Sequence, residues 1–269
     1  MHLRRLAALA LVAIGLAACA NSPHAPDTAR YAGIVAAPDR SAADRANDLR
    51  RKPAELLAFT GVRPGMLVED LSAARGYTSE LLARAVAPDG KVYAQNAPRG
   101  PARTPPPQPE GAAAPAPAVA PAAMPTLSER LRNPALAKVL EPVTRPFEDP
   151  VPAEAGGRLD LVTLMFNYHD FGHLGVDRAQ VNRAVFRALK PGGAYVIADH
   201  AGRTGTGISE SGTLHRVEEA FVVREVEAAG FRLAGRGEFL RNPADPRDRN
   251  TPEPPMPKDE FVLRFVKPG

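Results

Sequence analysis

The chain has 269 residues, 24% charged and 44% hydrophobic, with a formal net charge of +4. That composition fits one soluble globular domain with appendages, and the single cysteine, Cys19, excludes an intramolecular disulfide. No long Lys/Arg block and no aromatic–basic interleaving occurs, so no nucleic-acid partner is expected.

The chain begins "MHLRRLAALALVAIGLAACANS". Arg4 and Arg5 form a positive start, and without them the basic count falls from 34 to 32 against 30 acids. Leu6 to Ala18 is an uncharged apolar run of 13 residues. At about 1.5 Å per residue it is too short to cross a bilayer core of about 30 Å, and it suits a signal peptide over residues 1–18. Its end, "LAAC", resembles the lipobox of bacterial lipoproteins. The resemblance implies cleavage before Cys19 and thioether lipidation of it, hence a membrane-anchored protein of the cell envelope. Several acyl chains hold a protein on a membrane where one does not. Ala20 after the cysteine implies, by the enterobacterial sorting rule, the periplasmic face of the outer membrane.

Residues 19–40 are polar and Pro/Ala-containing and read as a flexible tether. A folded domain is expected over 41–269. "SAADRANDLRRKPAELLAF" reads as one or two helices, with Ser41 as a cap and Pro53 in a first turn. "MLVEDL" reads as a strand, "YTSELLARAVA" as an amphipathic helix and "KVYAQ" as a second strand. A Pro/Ala-rich insertion follows at about 97–125, with too few large side chains to bury a core. "TLSERLRNPALAKVLEP" contains two short helical pieces. "LDLVTLMF" has the continuous apolar character of a strand buried on both faces. "DRAQVNRAVFRALK" is a helix with Asp177 at its start, and "AYVIADH" is another buried strand. "TLHRVEEAFVVREVEAAG" reads as one long helix closed by Gly230. "FRLAGRGEFLR" and "EFVLRFVKP" read as a final strand pair around a polar, Pro-rich loop. Alternating strands and helices predict an open, mostly parallel α/β sheet.

From about Ala43 to Pro268, insertion aside, the chain resembles the class I S-adenosyl-L-methionine-dependent methyltransferases. "LKPGG" before "AYVIADH" and "AGF" at 229–231 carry the resemblance most specifically. "NYHD", "DH" and "LHR" resemble a subgroup of exported bacterial methyltransferase-like proteins. The family implies a Rossmann-like, seven-stranded sheet in the order 3-2-1-4-5-7-6, with helices on both faces. Its loop after the first strand carries an acid and three spaced glycines. Here Asp70 matches the acid, Ser72 and Ala74 replace two glycines, and Gly76 keeps the third. The acid that usually meets the ribose at the end of the second strand is Asn96. An amide can still hydrogen-bond but lacks the charge. Asn167, after the fourth strand, completes the set that the resemblance places around the cofactor.

Four histidines lie in the domain: His169, His173, His200 and His215. In open α/β sheets ligands bind beyond the carboxyl ends of the strands. Asn167, Tyr168, His169, Asp170, Asp199, His200 and His215 are therefore expected on one rim. A His–Asp pair there can take a proton from a small acceptor during methyl transfer, which assigns His169, Asp170, His200 and Tyr168 as catalytic. Three histidines with an aspartate could instead hold a divalent metal for hydrolysis. "HDFGH" has the spacing of a helical ligand pair, but Gly172 argues for a loop, and no metal is assigned. A binding module without catalysis is the remaining alternative. S-adenosylmethionine is made in the cytoplasm, and export weighs toward that alternative.

Overall fold

The computed structural model describes residues 28–98, 123–250, 252 and 256–269. The signal-peptide and lipidation assignments at 1–18 and Cys19, and most of the 97–125 insertion, lie outside the described residues.

Three helices lead into the sheet: α1 (Ala29–Val35), α2 (Ala42–Arg51) and α3 (Pro53–Thr60). Ser41 caps α2 by accepting the Asp44 N–H at 3.0 Å, and Pro53 stands in the first turn of α3. The strands are β1 (Leu67–Leu71), β2 (Lys91–Asn96), β3 (Leu140–Thr144), β4 (Leu159–Met165), β5 (Leu189–His200), β6 (Arg232–Gly237) and β7 (Glu260–Val266). Between them lie α4 (Tyr77–Val86), α5 (Leu127–Arg130), α6 (Pro134–Ala137), α7 (Asp170–His173), α8 (Arg178–Ala188) and α9 (Glu219–Ala228).

The seven strands form one sheet in the order β3-β2-β1-β4-β5-β7-β6. β3 through β5 run parallel, and β7 pairs antiparallel with both β5 and β6. Each face is buried under its own helical layer. Val68, Ala94, Leu161 and Val196 meet α3 and α4 through Leu56, Leu57, Leu81 and Leu82. Leu71, Tyr93, Val162 and Tyr195 meet α8 and α9 through Val181, Val185, Val222 and Val226. The expected Rossmann-like architecture is present, and it brings the carboxyl ends of β1, β2, β4 and β5 to one side.

Three local readings are corrected. The domain begins earlier than residue 41: α1 lies inside the span read as tether. Tyr31 is buried, and its hydroxyl donates to the Val62 carbonyl at 2.7 Å. One aromatic in a short, weakly patterned helix supplies that anchor, so composition alone does not show it. The helix expected from 213 to 230 spans only Glu219–Ala228. Arg216 is fully buried, donates to Asp245 at 2.8 and 3.1 Å and reaches the Ala201 carbonyl at 3.0 Å. Val217 forms a parallel bridge with Ala201, and this tertiary anchoring keeps 213–217 out of the helix. "HDFGH", expected as a loop, contains the single helical turn α7. Gly172 sits inside that turn because a Cβ there would come within 2.8 Å of Ile208 and Ser211.

Candidate functional site

The loop between β1 and α4 keeps the backbone path that three spaced glycines normally take. Ser72, Ala74 and Gly76 all have positive φ, at 57°, 49° and 81°. Gly76 lies closest to a neighbour: a Cβ there would meet Leu127 Cδ1 at 2.8 Å, so that leucine would have to move. Ser72 and Ala74 hold a conformation that costs an L-residue roughly 1–2 kcal/mol. Strained backbone of this sort survives where surrounding bonds over-determine it. Here the end of β2 supplies them. Gln95 Oε1 accepts the Ser72 N–H at 3.0 Å, the Gln95 carbonyl accepts the Ala73 N–H at 2.8 Å, and Asn96 Oδ1 accepts the Ala74 N–H at 2.8 Å.

Two hollows open above this loop and meet at Ala74 and Arg75. The first, about 200 Å³, is lined by Asn47, Arg51, Asp70, Phe166, Asn167 and Met124 among others. The second, about 670 Å³, lies over the ends of β2 and β3 and includes Asn96, Thr126 and Thr144. Together they form a trough across the carboxyl edge of the sheet. Asp70 stands at its floor, accepting from Ser79 Oγ at 2.5 Å and Thr163 Oγ1 at 2.7 Å. Burial pushes its carboxyl up to about 6, against the pull of those two hydroxyls.

Arg51 is a trough residue that sequence reasoning missed. Its guanidinium carbon stands 3.6 Å from the centre of the Phe166 ring. Its Nε and Nη1 are shielded from solvent and have no hydrogen-bond partner among the described residues. Burial, with help from neighbouring Arg50, lowers its pKa to about 9, so it still carries its charge at neutral pH. A buried cation with free donors calls for an anionic partner. The basic run Arg50, Arg51, Lys52 reads as an exposed helix end. Only the break before Pro53, where Lys52 turns to φ 43°, hints that Arg51 faces inward.

The rim lies beside the trough. Phe166 follows β4 at φ 63°, and Asn167 donates to Asp170 Oδ2 at 2.8 Å. Asp199, at the end of β5, accepts three bonds: from His169 Nδ1 at 2.6 Å, His169 N–H at 2.8 Å and His200 N–H at 2.7 Å. His169 Nε2 lies 3.1 Å from Asp170 Oδ1, and His215 Nδ1 approaches the same oxygen at 3.3 Å. The His169 ring is 5.5 Å from that of His200 and 5.6 Å from that of His215. The expected convergence of His169, Asp170, Asp199, His200 and His215 is therefore present. His173 joins them, its ring 5.6 Å from that of His215.

The pKa values of the two central imidazoles are shifted in opposite directions. Burial works to lower the His169 pKa, but Asp170 and Asp199 on either side of the ring outweigh it and raise the value to about 9. Burial pushes His200 down to about 3. Glu260 Oε1 lies 3.0 Å from His200 Nδ1, at an angle that makes no hydrogen bond. At neutral pH His169 is an imidazolium and His200 a neutral imidazole.

Tyr168 is the exception among the expected catalytic residues. It is fully buried in the α8/α9 layer, donates to Glu225 Oε2 at 2.7 Å and accepts from Asn182 at 3.0 Å. The chain turns after Phe166, so Asn167 faces the trough while Tyr168 enters the core. Tyr168 is an anchor for the rim and touches nothing that binds there.

No protein family matches the sequence, and no curated protein does. Solved structures match the fold. One is a SAM-dependent methyltransferase from Aquifex aeolicus, 19% identical, covering 85% of this chain and 100% of its own, with a TM-score of 0.53. Another is the [4+2]-cyclase SpnF, 13% identical, covering 84% and 80%, with a TM-score of 0.51. The architecture of this chain is the Rossmann-like methyltransferase fold.

Proposed function

We propose that the trough binds S-adenosyl-L-methionine and that the chain transfers a methyl group to a small acceptor at the histidine rim. The observation that carries this reading is Arg51: a charged guanidinium, two of its nitrogens unpartnered, at one end of a trough floored by a loop of the cofactor-binding shape. Arg51 would hold the methionyl carboxylate, the left-handed loop would let the chain pass close above it, and Asp70 and Asn167 would line the methionyl end. Asn96 would face the ribose. When bound, the cofactor supplies an electrophilic methyl group on a sulfonium. An oxygen or nitrogen of a bound acceptor would take that methyl group, and the acceptor's proton would leave to solvent past the partly exposed Asp170 and His215. Asp199 holds His169 and His200 through three hydrogen bonds. The lipobox at Cys19 would tether this domain to the cell envelope.

A non-catalytic binding module is the second reading. It is favoured by Ala74, whose methyl group stands at the trough, and by Asn96, whose amide oxygen is already engaged by the loop. SpnF, of the same fold, is described as a cyclase, and fold alone does not fix chemistry.

Calorimetric titration of the full-length protein with S-adenosyl-L-methionine tests the proposal. Binding is expected, and Arg51→Met should weaken it at least tenfold while circular dichroism stays unchanged. Absence of binding at millimolar concentration, or equal binding by Arg51→Met, would remove the reading.

A further inference from the structure

The rim contains an arrangement that methyl transfer does not require. His169 spends both its Nδ1–H and its backbone N–H on Asp199. That leaves Nε2 facing Asp170 Oδ1 at 3.1 Å. At that distance a cation, either a proton on Nε2 or a metal ion, joins the two atoms. His215 Nδ1 converges on the same carboxylate oxygen at 3.3 Å, from a segment 45 residues further along the chain. All three atoms lie within 4.8 Å of one another. Around a tetrahedral zinc with bonds of about 2.0–2.1 Å, ligand atoms stand about 3.3 Å apart.

We propose that His169, Asp170 and His215 form a binding site for one divalent transition-metal ion of the zinc class. His169 and Asp170 are oriented from behind, as metal ligands usually are. Asp199 fixes the His169 ring with Nε2 outward. Asn167 holds Asp170 Oδ2, which leaves Oδ1 for the ion. His215 is kept at φ 51°, a strained backbone conformation retained where its side chain meets Asp170. Two imidazoles and one carboxylate select zinc, cobalt or ferrous iron over magnesium or calcium. Three protein ligands leave coordination positions open, as in catalytic rather than structural sites. Asp170 and His215 keep side-chain exposures of 23% and 40%, so water or an acceptor atom can reach an ion held there. A metal so placed supplies Lewis acidity to an oxygen or nitrogen ligand. His173 stands outside the set, its Nδ1 bonded to Ser211 Oγ at 2.9 Å and 3.9 Å from Asp170 Oδ1.

A proton on His169 Nε2 would fill the same gap, and a metal titration separates the two cases. Tag-free full-length protein is stripped with a chelator and titrated with zinc against a chromophoric competitor, then with cobalt followed by visible absorption. One equivalent of either metal is expected, with the cobalt spectrum of a four- or five-coordinate site. His215→Ala, at a half-exposed position that leaves the fold intact, should weaken binding at least tenfold. His173→Ala should leave it unchanged. Substoichiometric binding by the wild type, or wild-type affinity in His215→Ala, overturns the proposal. The titration contains no S-adenosyl-L-methionine, so its failure is distinct from failure of the cofactor reading.

Discussion

Asn96 Oδ1 accepts the Ala74 N–H at 2.8 Å, and the Asn96 amide leans back toward the Ala74 carbonyl at 3.5 Å. The residue at the ribose position thus braces the loop that would carry the methionyl group. Two of the three departures from the methyltransferase pattern that the sequence resembles are one local structure: an alanine held at φ 49° and the amide that holds it.

That pairing makes a double change informative. Ala74→Gly removes the strain and the methyl group, and Asn96→Asp keeps an oxygen for the loop N–H while freeing a charged one for the ribose hydroxyls. Strain relief of roughly 1–2 kcal/mol is largely offset by the greater entropy of the unfolded glycine chain, about 0.5–1 kcal/mol. Thermal stability should therefore change little. Affinity for S-adenosyl-L-methionine should rise at least tenfold, or about 1.4 kcal/mol, as read by calorimetry. A doubly changed protein that binds no better than wild type would show that the loop does not limit affinity.

Tyr31 ties the segment before residue 41 to the domain. Tyr31→Phe keeps the ring in the core and leaves the buried Val62 carbonyl without its donor. The expected loss is about 1–2 kcal/mol. Tyr31→Ala also opens a cavity and should lose about 3–5 kcal/mol. Urea unfolding measures both. Two variants indistinguishable from wild type would mean that residues 29–35 contribute nothing to the domain.

The strand order followed from the resemblance to the methyltransferases, whereas the meeting of His169, Asp170, His200 and His215 was legible in the sequence itself: buried apolar runs mark the strands, and ligands sit beyond their carboxyl ends. What escaped depends on contacts far apart in the chain. β3 is five residues with Pro142 inside it, tolerated because it is an edge strand. Residues 213–217 have helical patterning, yet Arg216 is drawn to Asp245 across 29 positions. Arg51 looks like one of several surface cations until Phe166 is placed beneath it. Tyr168 sits within the "NYHD" run, but the turn at Phe166, with φ 63°, sends it into the α8/α9 layer.

We infer from the lipobox resemblance that Cys19 anchors this domain to a membrane, and one substitution tests it. Cys19→Ser should abolish lipid attachment and move the protein from the membrane fraction to the soluble fraction, visible by fractionation and by the mass of the mature N-terminus. None of the described helices is long and apolar enough to cross a membrane. A serine variant still in the membrane fraction, with its signal peptide retained, would place the anchor elsewhere.

Glu69 gives the fold a pH dependence of definite sign. It lies mid-strand in β1, fully buried, and neither carboxylate oxygen has a hydrogen-bond partner among the described residues. Burial, with the adjacent Asp70 adding to it, raises its pKa from 4.5 to about 8. Between those values the folded chain holds a proton that the unfolded chain has released, so stability falls as pH rises. Below pH 4.5 both states are protonated and the cost vanishes. A tenfold difference in proton affinity between the two states is worth roughly 1.4 kcal/mol, so the loss by pH 8 is on the order of a few kcal/mol. Asp70, raised to about 6, adds a smaller loss of the same sign at lower pH. Carboxylates whose pKa is lowered, Asp44 by Arg130 and Asp245 by the Asp259 and Arg247 backbone N–H groups together with Arg216, act oppositely and only below about pH 4. Glu69→Gln keeps the shape and removes the titration. Urea unfolding at pH 5 and pH 8.5 should show the wild type losing stability more steeply than the variant, with Glu69→Gln the more stable protein at pH 8.5. Parallel losses in the two proteins would mean that Glu69 ionises in the folded state as readily as in the unfolded one.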